Sequence, residues 1–199
     1  MRLAGHLNAD TEGLRADAVE AAQRVFVQKG YHAATLEEIA ARVKLTRPAL
    51  LHHFPSKGHL AAAARTRALS ALMQVITPDE ADAPREGIER LAGGYLDFVG
   101  AHSDAAAFLF QSEQLELPRD AREALRTTER RFFGGIAAWF RRPIRDLVFD
   151  RLPPAAYEAL VLGPSRDFAR RWLETRQLRE LRKLRPVLVQ AAWRAITFR

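Results

Sequence analysis

Residues 44–57, KLTRPALLHHFPSK, carry side chains suited to binding nucleic acid. Thr46 stands where a helix N-cap is expected, and Arg47 opens the helix, where a guanidinium can fork onto a guanine edge. His52 lies about one and a half turns further on, as a second candidate base reader. The free amides at Thr46 and at Ser56-Lys57 can hold phosphate oxygens.

Two other interpretations of this segment are weaker. Adjacent helical positions point about 100° apart, so His52 and His53 cannot share a metal as an i, i+4 pair does. An ordinary helical hairpin with two solvated or half-buried histidines stays the plain structural alternative. No metal site is predicted.

The rest of the sequence narrows the class of protein. It has no glycine-rich phosphate loop, no GxSxG, no HExxH and no cysteine, so we expect no enzyme and no cofactor. The net charge of +7 favours partners that carry phosphate. No secretory signal or membrane-length apolar run stands out, which predicts a cytoplasmic protein without membrane contact.

The elements that must position these residues are helices, because the hydrophobic period is helical almost everywhere. The first is expected over 14–29, ending at Gly30. Thr35 and Glu38 form a predicted capping box that opens the second helix. After a turn at Lys44-Leu45, Thr46 caps a third helix, which Pro55 stops. A fourth helix is expected to run to about Ile76.

The third helix is short and apolar on one side only, through Ala49, Leu50 and Phe54. It can therefore dock on the first two helices while Arg47 and Leu51 face outward. A short helix held after another helix and a tight turn is the helix-turn-helix arrangement, whose second helix enters the DNA major groove.

The stretches AVEAAQRVFVQKGY (18–31) and TLEEIAARVKLTRPALLHHFPSKGHL (35–60), with the spacing between them, resemble the TetR/AcrR family of bacterial transcriptional regulators. The resemblance implies that Thr35, Thr46 and Lys57 contact DNA phosphates. It also places four residues at base edges or the adjoining backbone: Arg47, Pro48, Ala49 and His52.

Two residues depart from the family's usual pattern. Lys44 replaces a glycine that is common in the turn, at a cost of roughly 1 kcal/mol if its backbone is left-handed. Leu51 replaces a tyrosine that often donates to a phosphate, although it stays on the predicted DNA-facing side. Both affect affinity and operator preference.

Residues 58–199 are predicted to form a helical domain for ligand binding and dimerisation, after a helix-turn-helix domain at 1–57 that is ordered from about residue 13. Helices are expected at 85–101, 104–115, 119–141, 153–174 and 178–197. Aromatic and polar side chains at helical spacing form either a ligand pocket or a filled core. They are Tyr95, Phe98, His102, Phe108, Gln111, Phe132, Phe133 and Trp139.

The last two helices carry a seam that predicts a homodimer. Its residues are Leu160, Gly163, Trp172, Leu181, Leu184, Leu188, Ala191 and Ala195. Pro186 interrupts the pattern, so the last helix is either kinked there or begins just before it.

The sequence thus predicts a homodimeric regulator that binds a palindromic operator in double-stranded DNA and is released by a small-molecule effector. The resemblance favours a repressor. The alternative is a helical homodimer that binds a small molecule or a protein and has lost DNA recognition, for which the departures at Lys44 and Leu51 are the argument.

Overall fold

The computed structural model describes residues 3–197, with side chains described from Thr11 onward. In that range the chain is all-α, as predicted, without a strand; an isolated antiparallel bridge joins Phe149 to Thr197. The first two residues of the predicted DNA-binding domain and the last two of the predicted C-terminal domain lie outside the described residues. No helix between residues 3 and 197 has an apolar stretch long enough to cross a bilayer.

The helices follow the predicted order, and two of them contain a π-helical turn. Their bounds are α1 Leu3–Lys29, α2 Leu36–Arg42, α3 Arg47–His53, α4 Lys57–Ile76, α5 Pro84–Ile88, π1 Glu89–Gly93, α6 Gly94–Ala101, α7 Ser103–Gln111, α8 Arg119–Arg145, α9 Pro154–Tyr157, π2 Glu158–Leu162, α10 Gly163–Thr175 and α11 Leu178–Ile196.

Two compact units divide the chain. The first comprises the residues up to Leu69 together with Ala107–Arg126, and the second comprises Ser70–Ala106 with the chain from Thr127 onward. The first unit therefore contains the three predicted DNA-binding helices, the beginning of α4 and a later segment that carries the end of α7 and the start of α8.

The first unit is built around the inner face of α1. Ala18, Ala22, Val25 and Phe26 are all buried, as their helical spacing predicts. Gly30 has φ +81°, and its amide donates to the Phe26 carbonyl at 2.8 Å, which closes the helix. The helix begins at residue 3 rather than at the predicted residue 14.

The predicted capping box at the start of α2 forms only in part. The Thr35 hydroxyl accepts from the Glu38 amide at 3.2 Å, as expected. The Glu38 carboxylate, however, binds the Lys29 ammonium at 3.0 Å and lies 3.5 Å from Arg42, so it pairs with two cations instead of returning to the Thr35 amide. The Glu38 carboxylate therefore binds cations of α1 and α2, and the second hydrogen bond of the capping box does not form.

The second unit has an aromatic core. The Trp139, Phe140, Phe149 and Tyr157 rings pack with centroids 4.7–5.9 Å apart. A Cβ at Gly87 would lie 1.9 Å from a carbon of the Trp139 ring, so the absence of a side chain there lets the indole lie against α5.

Two helix boundaries in the C-terminal part differ from the prediction, and the structure decides between the two alternatives for Pro186. The helix expected at 104–115 ends at Gln111, and the one expected at 119–141 continues through Pro143 to Arg145. The last helix begins at Leu178, so Pro186 lies inside it and does not mark its start. Packing of the rest of the helix outweighs the single missing amide donor at each proline.

Candidate functional site

The short helix α3 presents its first turn to the outside. Leu50 is completely buried and Phe54 nearly so, whereas Arg47, Pro48 and His52 are exposed. The remaining predicted DNA-facing residues, Ala49 and Leu51, are half-buried. One apolar side therefore docks the helix and leaves its N-terminal end accessible to a groove.

Arg15 on α1 holds the other end of α3. Its guanidinium donates to the His53 carbonyl at 2.7 Å and lies 4.6 Å from the centroid of the Phe54 ring. The residues around Arg15 in the sequence do not distinguish it from other exposed arginines on α1, so its role could not be predicted. Its contacts fix the axis of α3 relative to α1.

Threonine hydroxyls cap both helices of the motif. Thr46 accepts from the Ala49 amide at 3.3 Å, and Thr35 caps α2 in the same way. Both side chains are exposed, and in each case the hydroxyl hydrogen remains available to a phosphate oxygen. The arrangement suits phosphate binding at the start of two helices.

Arg47 forms an ion pair with a carboxylate on the preceding helix. Its Nε lies 3.2 Å from Oε1 of Glu37, and the two side chains are 56% and 62% exposed. An exposed pair of this kind contributes about 0–1 kcal/mol, so it can open when a better partner arrives.

The Lys57 side chain contacts the loop between α1 and α2. Its ammonium donates to the carbonyl oxygens of Tyr31, His32 and Ala34 at 2.9, 3.3 and 3.0 Å. It also lies 4.6 Å from the centroid of the Tyr31 ring. Burial raises the pKa of the Tyr31 hydroxyl. All three ammonium hydrogens thus have partners in the loop between α1 and α2.

The turn between α2 and α3 contains the left-handed residue that the sequence suggested. Lys44 has φ +56°, and its amide donates to the Ala41 carbonyl at 3.3 Å. The Leu45 amide donates to the Ala40 carbonyl at 2.9 Å. A lysine therefore occupies a conformation that favours glycine, with its side chain exposed beside the motif.

A serine, a histidine and an aspartate meet at the start of α4. The Ser56 hydroxyl accepts from the His59 amide at 3.3 Å and lies 2.8 Å from His59 Nδ1, while His59 Nε2 lies 3.0 Å from Asp120. The His59 imidazole holds the pKa of the exposed Asp120 carboxyl below its usual range. Because Ser56 is an N-cap, this group anchors the helix that follows α3.

The eight residues predicted to line a ligand pocket are divided between the two units. Phe108 and Gln111 belong to the first unit, where the buried Phe108 ring stacks on Phe26 at 5.7 Å. The other six belong to the second unit, where several are core. Phe98, Phe132 and Trp139 are buried, Tyr95 is half-buried, and His102 and Phe133 are exposed.

The second unit nevertheless contains a cavity of about 490 Å³, and Phe133 is the one predicted pocket residue on its wall. The cavity lies beside the C-terminal half of α8, α9 and π2, and Leu91 of π1 also lines it. Most of its wall is aliphatic or aromatic. Sequence spacing missed it because the lining residues come from segments far apart in the chain.

The predicted dimer seam divides into inner and outer residues. Trp172 and Leu181 are buried in the second unit's own core. Leu160, Gly163, Leu184 and Leu188 are half-buried, and Ala191 and Ala195 are exposed. Val187, which the prediction omitted, is 57% exposed and joins the outer residues of α11. An apolar outer stripe therefore runs along α11 through residues 184, 187, 188, 191 and 195.

Comparison with known proteins agrees with this geometry. Residues 18–64 match the sequence family described as "Bacterial regulatory proteins, tetR family". The HTH-type transcriptional activator FasR of Mycolicibacterium smegmatis is 31% identical over 121 residues, which are 58% of this chain and 53% of that protein. The chain spans about half the length of the curated relatives it matches.

Solved structures share the fold over nearly the whole chain. A TetR family transcription regulator from Marinobacter aquaeolei VT8 has a TM-score of 0.75 at 13% identity, covering 96% of this chain and all of that one. The transcriptional regulator FadR from Bacillus subtilis, in complex with stearoyl-CoA, has a TM-score of 0.76 at 13% identity, covering 91% and 98% of the two chains.

Proposed function

We propose that this chain, which belongs to the TetR family of transcriptional regulators, is a cytoplasmic, homodimeric and ligand-responsive repressor that reads a palindromic operator through α3. The observation that carries the proposal is the exposed and capped first turn of α3 on a buried base: Arg47 and Pro48 point outward while Leu50 anchors the helix. A helix held in this way can enter a major groove by its N-terminal end.

Arg47 is the proposed base reader. A bidentate contact to a guanine provides about 1–3 kcal/mol of discrimination, which exceeds the weak exposed pair with Glu37 that has to open first. Pro48, Ala49, Leu51 and His52 would lie against the neighbouring bases or backbone. Ala49 and Leu51 can offer only apolar contacts, such as with a thymine methyl group.

The phosphate contacts come from the caps. Thr35 and Thr46 keep a hydroxyl hydrogen and nearby helix amides for phosphate oxygens. We assign Lys57 a positioning role, because its ammonium already has three carbonyl partners that hold the loop before α2. It would support DNA binding by fixing the motif.

The homodimer would form through an apolar face that comprises the outer stripe of α11 and also Leu160 and Gly163. Apolar side chains such as Val187 and Leu188 would otherwise remain in water along one face. A two-fold axis between the copies would match a palindromic operator, whose half-sites lie about 34–36 Å apart on successive major grooves. Changing Val187 and Leu188 together to glutamate should give monomers by sedimentation. Arg179→Glu, on the opposite side of α11, should leave the dimer intact.

The effector would act by favouring a dimer in which the two copies of α3 no longer match that spacing. A protein of the same fold binds stearoyl-CoA, which supports a small-molecule effector in the second unit here. Because FasR is named a transcriptional activator, activation is the second candidate outcome of DNA binding.

Selection of bound sequences from a random duplex pool tests the DNA-binding proposal. Wild type, Arg47→Ala and His52→Ala would then be titrated onto the selected duplex and a scrambled one at two salt concentrations. Arg47→Ala should lose about 5-fold to 150-fold on the selected duplex and little on the scrambled one. Arg24→Ala, which removes an exposed arginine of a similar ion pair on α1, is the matched control.

Two results would count against the proposal. Equal losses on both duplexes would mean that α3 positions the protein without reading sequence. A pool without enrichment, together with wild-type binding by every variant, would favour a helical homodimer that has lost DNA recognition. Transcription from a promoter that carries the selected site, with and without the protein, separates repression from activation.

A further inference from the structure

The cavity in the second unit has a mostly apolar wall, which suits an apolar group. Its volume of about 490 Å³ falls within the range of small-molecule sites, roughly 300–1,000 Å³. Phe133 is 45% exposed although it is one of the largest apolar side chains on α8. The principal apolar residues of the wall are Phe133, Ile136, Phe140, Ile144, Val161 and Leu162.

Both π-helical turns contribute to this wall. Leu91 comes from π1, and Glu158, Val161 and Leu162 come from π2. A π turn accommodates an extra residue at the expense of regular hydrogen bonding, and such turns occur frequently at functional sites. Two of them beside one cavity are an observation independent of its volume and composition, and they favour a site that is used.

The polar groups of the wall are few. The Tyr157 hydroxyl donates to the Asp150 carbonyl and accepts from the Leu152 amide at 3.2 Å, so its hydrogen-bonding capacity is taken up within the fold. Arg141 and Glu158 supply the charged groups. Both side chains are exposed, and neither forms an ion pair with another described side chain.

Arg141 is the stronger of the two for recognition. A guanidinium presents a planar fork that binds a carboxylate or phosphate through two parallel hydrogen bonds. Arg145 lies one turn further along α8 and raises the local positive potential. Asp146 offsets part of this charge, because its Oδ1 lies 3.0 Å from Arg145 Nε. An anion bound to Arg141 would therefore be stabilised more than a cation bound to Glu158.

We propose that this cavity binds an amphipathic acid, with an unbranched apolar chain along the wall and its anionic end on Arg141. This ligand class rests on the proposed function of a ligand-responsive regulator, since it specifies the effector. The anionic end has two possible sources, a free carboxylate or the phosphates of a coenzyme A thioester. The same apolar chain and the same dependence on Arg141 are expected in both cases.

Binding of five probes to the full chain, measured by calorimetry and by the shift in melting temperature, tests the proposal. They are octanoate, decanoate, decanoyl-coenzyme A, decanol and decyltrimethylammonium. Decanoate or its thioester should bind best, and each methylene added from octanoate to decanoate should strengthen binding about fourfold. Decanol should bind at least tenfold more weakly than the acid, because it lacks the charge-assisted contact.

Variants assign the anion to its partner. Arg141→Gln should weaken the bound acid at least tenfold and leave decanol unchanged. Arg142→Gln is the matched control, because Arg142 pairs with Asp146 at 3.8 Å and does not line the cavity. Glu158→Gln should strengthen acid binding several-fold by removing a like charge. Ala137→Phe should fill the cavity and reduce binding of every probe without lowering the melting temperature of the free protein.

The results that would overturn the proposal are equal binding of decanol and decanoate, tightest binding of decyltrimethylammonium, or no binding by any probe. Loss of acid binding in Arg142→Gln equal to that in Arg141→Gln would also overturn the assignment. Binding of the same protein to its selected duplex is measured in parallel. Wild-type DNA binding with no acid bound rejects the ligand class alone, whereas acid binding without DNA binding rejects the regulator.

Discussion

Replacing Lys57 with methionine should destabilise the first unit, because the Lys57 ammonium closes the loop between α1 and α2. Nζ lies 2.9 Å from the Tyr31 carbonyl oxygen, 3.3 Å from that of His32 and 3.0 Å from that of Ala34. Methionine keeps an aliphatic stem of similar length but has no donor. Three carbonyl oxygens therefore lose the same partner at once.

The expected loss can be bounded from these contacts. A hydrogen bond from a charged donor contributes about 1.5–3 kcal/mol, but the three bonds share one charge and Lys57 is only half-buried. Water can replace part of what is lost, so we expect a total of about 2 kcal/mol. In a protein of this length that lowers the melting temperature by about 4–8 °C.

Two measurements separate this loop contact from direct phosphate binding. Thermal and urea unfolding give the stability, and binding to a scrambled duplex at several salt concentrations gives the salt slope. If the ammonium stays on its carbonyls, the slope of Lys57→Met should equal that of wild type. Lys29→Met is the control, because Lys29 carries the same charge and pairs with Glu38 on the surface at 3.0 Å. Its loss should be below about 1 kcal/mol.

The reasoning fails if Lys57→Met is as stable as Lys29→Met and its salt slope falls by about one unit. That result would mean that the ammonium leaves the loop and binds a phosphate, as the family resemblance implies. A protein that loses both stability and one unit of salt slope would show that Lys57 serves in both places.

Further expectations concern stability. Lys44→Gly should raise the free energy of unfolding by about 0.5–1 kcal/mol, because φ is +56° and glycine relieves the strain at some cost in unfolded-state entropy; Lys44→Ala should give no such gain. Gly87→Ala should lower the free energy of unfolding by about 1–3 kcal/mol, because the new methyl group would lie 1.9 Å from a carbon of Trp139. Gly134→Ala should raise it by up to about 1 kcal/mol, because a Cβ there would have nothing within 4 Å. Urea unfolding measures each change, and a Gly134→Ala loss as large as that of Gly87→Ala would contradict the packing argument.

The helix-turn-helix could be predicted from the sequence because its signals act over a few residues. Gly30 ends α1, Thr35 and Thr46 cap the next two helices, and Pro55 lies beyond the end of α3. Each of these effects depends on backbone geometry within one turn. Long-range partners such as Arg15 on the end of α3 depend on the assembled fold and carry no such local signal.

The C-terminal residues were harder to assign for a different physical reason. Leu181 and Leu188 belong to the same apolar repeat of α11. Leu181 nevertheless lies in the core, whereas Leu188 is half-buried on the outer stripe. Spacing identifies an apolar stripe but not the surface that covers it. The same spacing placed Phe98 and Phe108 in one predicted set, although they belong to different units.

Glu37 connects the exposed ion pair of Arg47 to operator specificity. On a scrambled duplex no guanine lies at the matching position, so the guanidinium stays near Glu37, at 3.2 Å, and neutralises the carboxylate. On the operator the guanine contact replaces this weak pair, and Glu37 is left unpaired beside the phosphates. Glu37 should therefore weaken operator binding more than non-specific binding.

Glu37→Gln tests this directly. We expect it to strengthen binding to the operator by up to about fivefold and to the scrambled duplex by a smaller factor, so that the ratio of operator to scrambled affinity rises. Glu12→Gln, which removes an exposed carboxylate from α1, controls for the change in net charge. If both substitutions strengthen binding to the two duplexes by the same factor, Glu37 contributes only through overall charge, and the ion pair with Arg47 has no part in specificity.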